Sequence, residues 1–307
     1  MKIYFDNVNF DSSSGPHTFA TRLAQELSLQ GHVIADCDDY DVALVFIEKT
    51  QRLNTKKPFV QRLDGIWFRP DEFATRNVNI KTTYYFASSV VFQSDFDKTM
   101  IQKWWGEHKS GHIIRNGIKL EKVKTKSEAL LHIHDRYKKV FVCSANWHPQ
   151  KRLSNNIELF EHIRSTIEPF SCLIVMGNGP DKVVSDMNIY YTGSVPHQTC
   201  LEIYSISDWM LHLAYLDHSP NVVCEALSQG CPVICSESGG TKELVENNGL
   251  ILKESQQYNF ELFDYEKPPN IDVLQLKTLP NIKVDASKLD IKSVAQQYID
   301  IFKQVVS

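Results

Sequence analysis

Short apolar runs alternate with amphipathic segments along the chain. In the first half the predicted strands include KIYFDNV, DVALVFI, KPFVQRLDG and SVVFQS. Helical periodicity occurs in TFATRLAQELSLQG and in SDFDKTMIQKWWG, where Ser94 or Asp95 is the expected N-cap. Short strands separated by helices favour a parallel sheet that is covered by helices on both faces.

The same alternation resumes in the second half. Predicted strands KKVFVCSA, CLIVMG, IYYTGSV, DWMLHLA, CPVICSE and GLILK are separated by helices beginning near Leu153, His197 and Asn221. This pattern predicts a second doubly wound domain, and hence two Rossmann-like domains that face a cleft.

The pattern also sets the expected domain boundaries. We predict a first domain at 1–117, a Lys-rich connection at 118–137 and a second domain at 138–285. Residues 286–307 carry an apolar stripe at helical spacing, so we expect a helix that packs back toward the first domain.

Composition narrows the class of protein. A chain of 307 residues suits two domains, and a formal net charge of −4 argues against a nucleic-acid-coating protein. No apolar run is long enough to span a membrane, and Asp6 and Asp11 do not fit a secretory segment. Seven cysteines without CxxC spacing predict a reduced, cytoplasmic protein. The HIH at 132–134 lacks a nearby third ligand, so no metal site is predicted.

Polar residues cluster where predicted strands end, which is the usual ligand crevice of this architecture. Pro220 suits the first turn of a helix, where the N–H groups of residues 221–223 would be free to bind an anion. Asp217 and Glu225 flank this point and would repel phosphate, so they are predicted to accept hydrogen bonds from hydroxyl groups. A ligand with hydroxyls at both ends and a diphosphate between them is a nucleotide sugar, and Lys151 and Arg152 in NWHPQKRL supply positive charge for the diphosphate.

The motif from Asp217 to Val233 resembles that of the retaining glycosyltransferases of family 4, which have the GT-B fold. Glu225, Ala226, Gly230 and Pro232 stand in step with the family's E-x7-E pattern. SGGTKELV, NWHPQKRL, VVFQSDFDKTMIQKWWG and IIRNG resemble further segments of the family. The chain would be a short member, with Asp217 replacing the first Glu.

The resemblance implies a metal-independent enzyme without a cofactor, which transfers a sugar from a UDP- or GDP-sugar with retention. The acceptor would be a glycan, lipid or protein hydroxyl, as in polysaccharide biosynthesis. In the implied front-face mechanism, the leaving phosphate helps to deprotonate the acceptor. Lys151, Asp217, Glu225 and Asp64 are the catalytic candidates, Asp64 standing where the family often has a His. The donor-binding candidates are Gly15, Asn146, Arg152, Gly193, Ser194, Ser219, Pro220, Asn221, Val222 and Val223.

The sequence leaves open two rival functions and one further partner. A GT-B epimerase would keep the fold without needing an acceptor, and a non-catalytic protein would bind the nucleotide sugar without turnover. Asn146 stands where the family commonly has Arg, so Arg152 would supply the second positive charge. The apolar stripe within residues 95–109, surrounded by lysines, is typical of core but also permits peripheral contact with a membrane.

Overall fold

The computed structural model describes residues 1–12, 14–124, 127–179 and 183–307. Within these ranges, twelve strands form two separate six-stranded sheets, and every strand pair is parallel. The predicted architecture of two doubly wound domains is therefore confirmed.

The first domain is built on strands β1 to β6 and helices α1 to α4. The strands are β1 (Lys2–Asp6), β2 (Val33–Ala35), β3 (Val42–Phe46), β4 (Phe59–Arg62), β5 (Ser89–Phe92) and β6 (Gly111–Ile113). The helices are α1 (Gly15–Leu29), α2 (Phe73–Arg76), α3 (Val78–Phe86) and α4 (Asp95–Trp105). The strand order is β2-β1-β3-β4-β5-β6.

The second domain follows two short helices, α5 (Glu128–Leu131) and α6 (Ile133–Arg136). Its strands are β7 (Lys139–Ser144), β8 (Ser171–Met176), β9 (Ile189–Gly193), β10 (Trp209–His212), β11 (Val233–Ser236) and β12 (Gly249–Leu252). Its helices are α7 (Leu153–Thr166), α8 (His197–Ile206), α9 (Asn221–Ser228) and α10 (Thr241–Val245), and α11 (Ile291–Val306) ends the fold. The strand order is β12-β11-β10-β7-β8-β9.

Each sheet has one point where the direction of winding reverses. In the first sheet the reversal lies between β1 and β3, and in the second between β7 and β10. Loops at such a reversal diverge and leave a crevice beyond the carboxyl ends of the strands, where ligands of doubly wound proteins bind. The loops after β1 and β3 border this crevice in the first domain, and the loops after β7 and β10 border it in the second.

Strand burial explains the sequence pattern. All five residues of β3 and all six of β8 are buried, which accounts for their near-continuous apolar runs. Ser94 caps α4, because its hydroxyl accepts a hydrogen bond of 3.1 Å from the Asp97 N–H.

The chain crosses between the domains more than once. Residues 258–265, which we call the strap, lie within the predicted second domain, yet their aromatic side chains pack on the first-domain core. Residues 271–276 then return to the core of the second domain. Helix α11 crosses again and packs on α1, with Tyr298 and Phe302 completely buried in the first-domain core.

The apolar stripe of α4 is core rather than a membrane-facing surface. Phe96, Met100, Ile101 and Trp105 are all buried, and the strap covers the helix. The Trp104 indole N–H, on the same stripe, donates to the Phe260 carbonyl of the strap at 3.2 Å. Of the two interpretations that the sequence left open for residues 95–109, core packing and peripheral membrane contact, the structure shows core packing for this stripe. Within the part of the chain that the structure describes, no helix combines the length and apolarity needed to span a bilayer.

Candidate functional site

A cleft of about 410 Å³ lies between the two domains. Its walls come from the segments that follow β1, β4, β5 and β6 in the first domain and β7 and β10 in the second. The predicted site residues that line it are Gly15, Asp64, Asn146, Lys151, Asp217, Ser219, Pro220, Asn221 and Val222. The cleft therefore gathers most of the residues that the sequence singled out.

Lys151 and Asp217 face each other across the winding reversal of the second sheet. Two hydrogen bonds between Gln150 and Tyr215, of 2.8 and 2.9 Å, tie the loop after β7 to the loop after β10. This brings the Lys151 Nζ to 2.5 Å from the Asp217 Oδ2. His212, at the end of β10, places its Nε2 at 3.4 Å from the same oxygen.

The charge of Asp217 is set by these neighbours. Burial raises the pKa of its carboxyl, but the Lys151 ammonium and the His212 ring outweigh burial and hold the pKa well below its ordinary value. Asp217 is thus a carboxylate at neutral pH, able to accept hydrogen bonds from hydroxyl groups but not to donate a proton.

Gly239 and Gly240, which follow β11, pack closely against the loop that carries Asp217. A Cβ at Gly239 would lie 2.5 Å from the Asp217 carbonyl oxygen, and one at Gly240 would lie 2.1 Å from that of His218. Gly239 also has a φ of +77°, which favours glycine. The Gly240 N–H donates to the Asp217 carbonyl at 2.7 Å, so the turn fixes the loop that carries the carboxylate.

Two helix N-termini open on the cleft. Asn221 and Val222 begin α9, and Gly15 and Pro16 begin α1 on the opposite wall. The Asn221 side-chain N–H₂ donates to the Gly15 carbonyl at 2.9 Å and joins the two ends. The partial positive charge of each N-terminus favours a bound anion. The Val223 N–H is not available as expected, because it donates to the Pro220 carbonyl at 3.1 Å.

Glu225 lies one turn further along α9 and meets side chains from two other helices. Its Oε1 accepts a hydrogen bond from the Arg22 guanidinium of α1 and lies 3.3 Å from the His197 Nε2 of α8. Burial raises the pKa of Glu225, but His197 and Arg22 outweigh burial and hold it below its ordinary value. Glu225 is therefore ionised, and the contact joins the first domain to the second.

Asp64 stands on the first-domain wall, after β4. Its Oδ1 accepts hydrogen bonds from the Arg62 guanidinium and from the Gln93 amide, the latter at 2.6 Å. Burial raises the pKa of Asp64, and this outweighs the opposing effect of Arg62. The Arg62 guanidinium also donates to Asn116 at 2.6 Å, and Asn116 donates to the Ser219 carbonyl at 2.9 Å. This chain of hydrogen bonds connects the wall of the first domain with the loop of the second.

His218, beside Asp217, inserts into the first domain. Its ring lies against Gly65, where a Cβ would come within 2.4 Å, and it packs on Phe68 and Phe96. Its Nδ1 lies 3.4 Å from an oxygen of the buried Asp97. Burial lowers the pKa of His218, but Asp97 outweighs burial and raises it above the ordinary value.

Residues 132–261 match the family described as "Glycosyl transferases group 1". This region contains Lys151, Asp217 and Glu225. No curated protein matches the chain significantly in sequence.

Solved structures resemble the chain over nearly its whole length. Anabaena HepE, in complex with UDP and glucose, is 16% identical with a TM-score of 0.67, and the match covers 99% of this chain and 100% of HepE. Sucrose-phosphate synthase from Thermosynechococcus elongatus is 14% identical with a TM-score of 0.69, covering 99% and 98%. A glycosyltransferase from Rickettsia africae is 13% identical with a TM-score of 0.66, covering 100% and 98%. At these identities the likeness concerns the fold, and the predicted GT-B fold is confirmed.

Four predicted donor-binding residues do not line the cleft. Arg152 has φ and ψ of 52° and 49°, a left-handed conformation that turns its side chain away from that of Lys151 and into the core. There it forms two hydrogen bonds with Glu254, of 2.7 and 3.1 Å. Val223 is buried in the core, and Gly193 and Ser194 lie beyond the cleft, at and just after the end of β9. These four residues are therefore not part of the proposed site. Glu225 does not line the cleft either, but it lies on α9 one turn beyond Val222, which does.

Sequence reasoning missed the side chains that reach the site from elsewhere. They are Arg22, Asn116, His197, His212 and His218. Asn116 follows β6 and His212 is the last residue of β10, and such positions at strand ends are a usable signal. Nothing in the sequence marks Arg22, on the polar face of a long helix. Among the described residues, no group of three or more His, Cys, Asp or Glu side chains is arranged to hold a metal ion.

Proposed function

We propose that the protein is a glycosyltransferase of the retaining, family 4 type, which moves a sugar from a nucleoside-diphosphate sugar to an acceptor hydroxyl. One observation carries the proposal. A single cleft between two parallel sheets holds a lysine, an ionised aspartate and the N-termini of two helices. The match of residues 132–261 to glycosyl transferases group 1 supports it, as does the likeness in fold to HepE, whose structure contains UDP and glucose.

The diphosphate would bind at Lys151 and the two helix N-termini. The Lys151 ammonium uses one of its three N–H donors on Asp217, so two donors remain for phosphate oxygens. The N-termini of α1 and α9 add partial positive charge from opposite walls. Together these groups would stabilise the charge that develops on the departing diphosphate, a role that needs no metal ion.

The carboxylates would hold the two sugars of the donor. Asp217 would accept hydrogen bonds from hydroxyls of the transferred sugar, because it is ionised and lies beside the lysine that binds the diphosphate. Glu225, one turn into α9, would accept hydrogen bonds from the ribose. The acceptor would approach from the first-domain wall that carries Asp64, and the leaving phosphate would take its proton.

A donor screen tests the proposal. Thermal unfolding with UDP-, GDP- and ADP-sugars should identify one donor that raises the melting temperature, because a ligand that binds only the folded state stabilises it. Glycan, lipid and peptide acceptors are then offered with that donor, and NMR of the product reports the anomeric configuration. We expect transfer with retention, at a rate that EDTA does not change.

Three results would contradict the proposal in different ways. Conversion of the donor into an isomer without any acceptor would indicate an epimerase. Donor binding with neither hydrolysis nor transfer would indicate a binding protein. Loss of transfer in EDTA, with recovery on addition of manganese or magnesium, would refute metal independence alone.

A further inference from the structure

Arg22 brings a positive charge from the first domain to the carboxylate that we assign to the ribose. Its Nη2 donates to the Glu225 Oε1 and lies 3.4 Å from the His197 Nε2. The Arg22 and Glu225 side chains are 14% and 8% exposed, so the ion pair is largely shielded from water. The three residues belong to α1, α9 and α8, which means that the contact depends on how the two domains are arranged.

The contact leaves hydrogen-bonding capacity unused on both partners. The Arg22 Nη1 is buried and has no hydrogen-bond partner among the described residues. The Glu225 Oε2 likewise receives no hydrogen bond from the part of the chain that the structure describes, since both neighbours lie at Oε1. A buried donor on a charged group is costly to leave unpaired, so a ligand that offers it an acceptor gains affinity.

The ion pair lies on the seam of α1 and α9, along which two cavities open. The cleft lies at the first residues of both helices. A second cavity, of about 420 Å³, is lined by Thr18, Arg22 and Gln25 of α1, by His197 of α8 and by Ser228 of α9. Glu225 lies on α9 between Val222, which lines the cleft, and Ser228, which lines the second cavity. A ligand that extends from the cleft along this seam therefore comes to Glu225 and Arg22.

We propose that Arg22 is a positioning residue for the nucleotide, acting on the ribose together with Glu225. A ribose carries two adjacent hydroxyls, each able to donate and to accept. One hydroxyl donates to the Glu225 Oε2, and a ribose hydroxyl oxygen accepts from the Arg22 Nη1. Because the two residues belong to different domains, the ribose connects the domains as it binds. This inference rests on the proposed function, which supplies the nucleotide.

Deoxynucleotides test this role directly, because each lacks one ribose hydroxyl. The test does not depend on the base, since every ribonucleotide contains the ribose. The dissociation constants of UDP, 2′-deoxy-UDP and 3′-deoxy-UDP are measured by calorimetry for the wild type, Arg22→Lys and Arg22→Met. If the donor screen selects another base, the corresponding diphosphates are used. Arg22→Lys keeps the charge beside Glu225 but loses the second N–H of the planar fork. Arg52→Met, an exposed arginine of the same domain, is the matched control.

We expect Arg22→Met to weaken UDP binding by about 10- to 150-fold, the range for a hydrogen bond to a charged group. Arg22→Lys should weaken UDP binding to a similar degree. At least one deoxy analogue should bind the wild type and both variants with nearly equal affinity. Melting temperatures confirm that the variants are folded.

Equal losses for UDP and both deoxy analogues would overturn the inference, because a merely structural role predicts them. Unchanged or tighter UDP binding in Arg22→Lys would also overturn it, and tighter binding in Arg22→Met would show that the ion pair blocks Glu225. If the wild type binds no nucleoside diphosphate at all, that result contradicts the proposed function itself. The inference about Arg22 is then refuted as well, because it depends on that function.

Discussion

Replacing Arg152 by Met should destabilise the second domain and leave nucleotide affinity within a few-fold of wild type. The Arg152 and Glu254 side chains are 0% and 2% exposed, and two hydrogen bonds join them. The guanidinium also donates to the Pro269 carbonyl at 2.5 Å. The substitution therefore leaves a buried carboxylate and a partly buried carbonyl without their donor.

The size of the effect follows from this burial. Removing one partner of a buried ion pair costs about 3–5 kcal/mol in the free energy of unfolding, because the remaining charge is uncompensated. Replacing both partners, in the double variant Arg152→Met and Glu254→Met, removes that charge and should recover much of the loss. Arg52→Met exchanges an exposed arginine in the same way and should change stability by less than about 0.5 kcal/mol.

Urea unfolding of the four proteins measures stability, and calorimetry with the selected nucleoside diphosphate measures binding. The double variant should be more stable than Arg152→Met, and both should still bind the nucleotide. The reasoning fails if Arg152→Met is as stable as Arg52→Met but binds the nucleotide tenfold more weakly, because Arg152 would then act on the diphosphate.

Three further predictions concern residues at or beside the cleft. Lys151→Ala should lower the rate of transfer by about 10²-fold, as removal of other charge-stabilising donors does. Lys277→Ala, at an exposed position, is the control and should leave the rate unchanged. Near-normal turnover in Lys151→Ala would show that Lys151 is not part of the site. Glu225→Gln should weaken binding of both the free diphosphate and the donor, whereas Asp217→Asn should leave diphosphate affinity within a few-fold and reduce transfer sharply. The opposite pattern in calorimetry would mean that the donor lies the other way round. The pKa of His218 is raised in the folded protein, so its stabilisation is complete below the ordinary value of 6.5 and is lost as the pH rises through the raised value. The free energy of unfolding should therefore fall more between about pH 6 and pH 9 in the wild type than in His218→Gln, and equal slopes would contradict this.

Local sequence signals predicted the elements that carry the site. Residues close in sequence determine the Ser94 cap and the start of α9 at Asn221. They also determine which apolar runs form the strands. Asp217 and Lys151 could be placed together because both follow strands, and the carboxyl ends of parallel strands lie at one edge of a sheet.

The direction of a side chain was harder to predict than its position. Lys151 and Arg152 are adjacent and chemically alike, yet one lines the cleft and the other is buried. The difference comes from the left-handed conformation of Arg152, which lets its side chain reach Glu254, a residue distant in sequence. No local pattern encodes such a partner.

Contacts between the domains were also beyond local reasoning. The strap has no helical or strand periodicity, so its aromatic residues gave no sign that they pack on the first domain. Arg22 and Glu225 meet only because α1 and α9 face each other across the seam. Such contacts follow from the tertiary arrangement rather than from the sequence around either residue.

The position of α11 has a consequence for how the chain folds during synthesis. Its buried residues, including Tyr298 and Phe302, complete the core of the first domain, although the whole second domain precedes them in the chain. A nascent chain that has released the first six strands still exposes the apolar face of α1 that α11 will cover. The first domain therefore cannot finish folding on the ribosome ahead of the second, in contrast to the usual order in proteins with two domains. Until α11 emerges, that face stays uncovered, and exposed apolar surface of this kind favours aggregation.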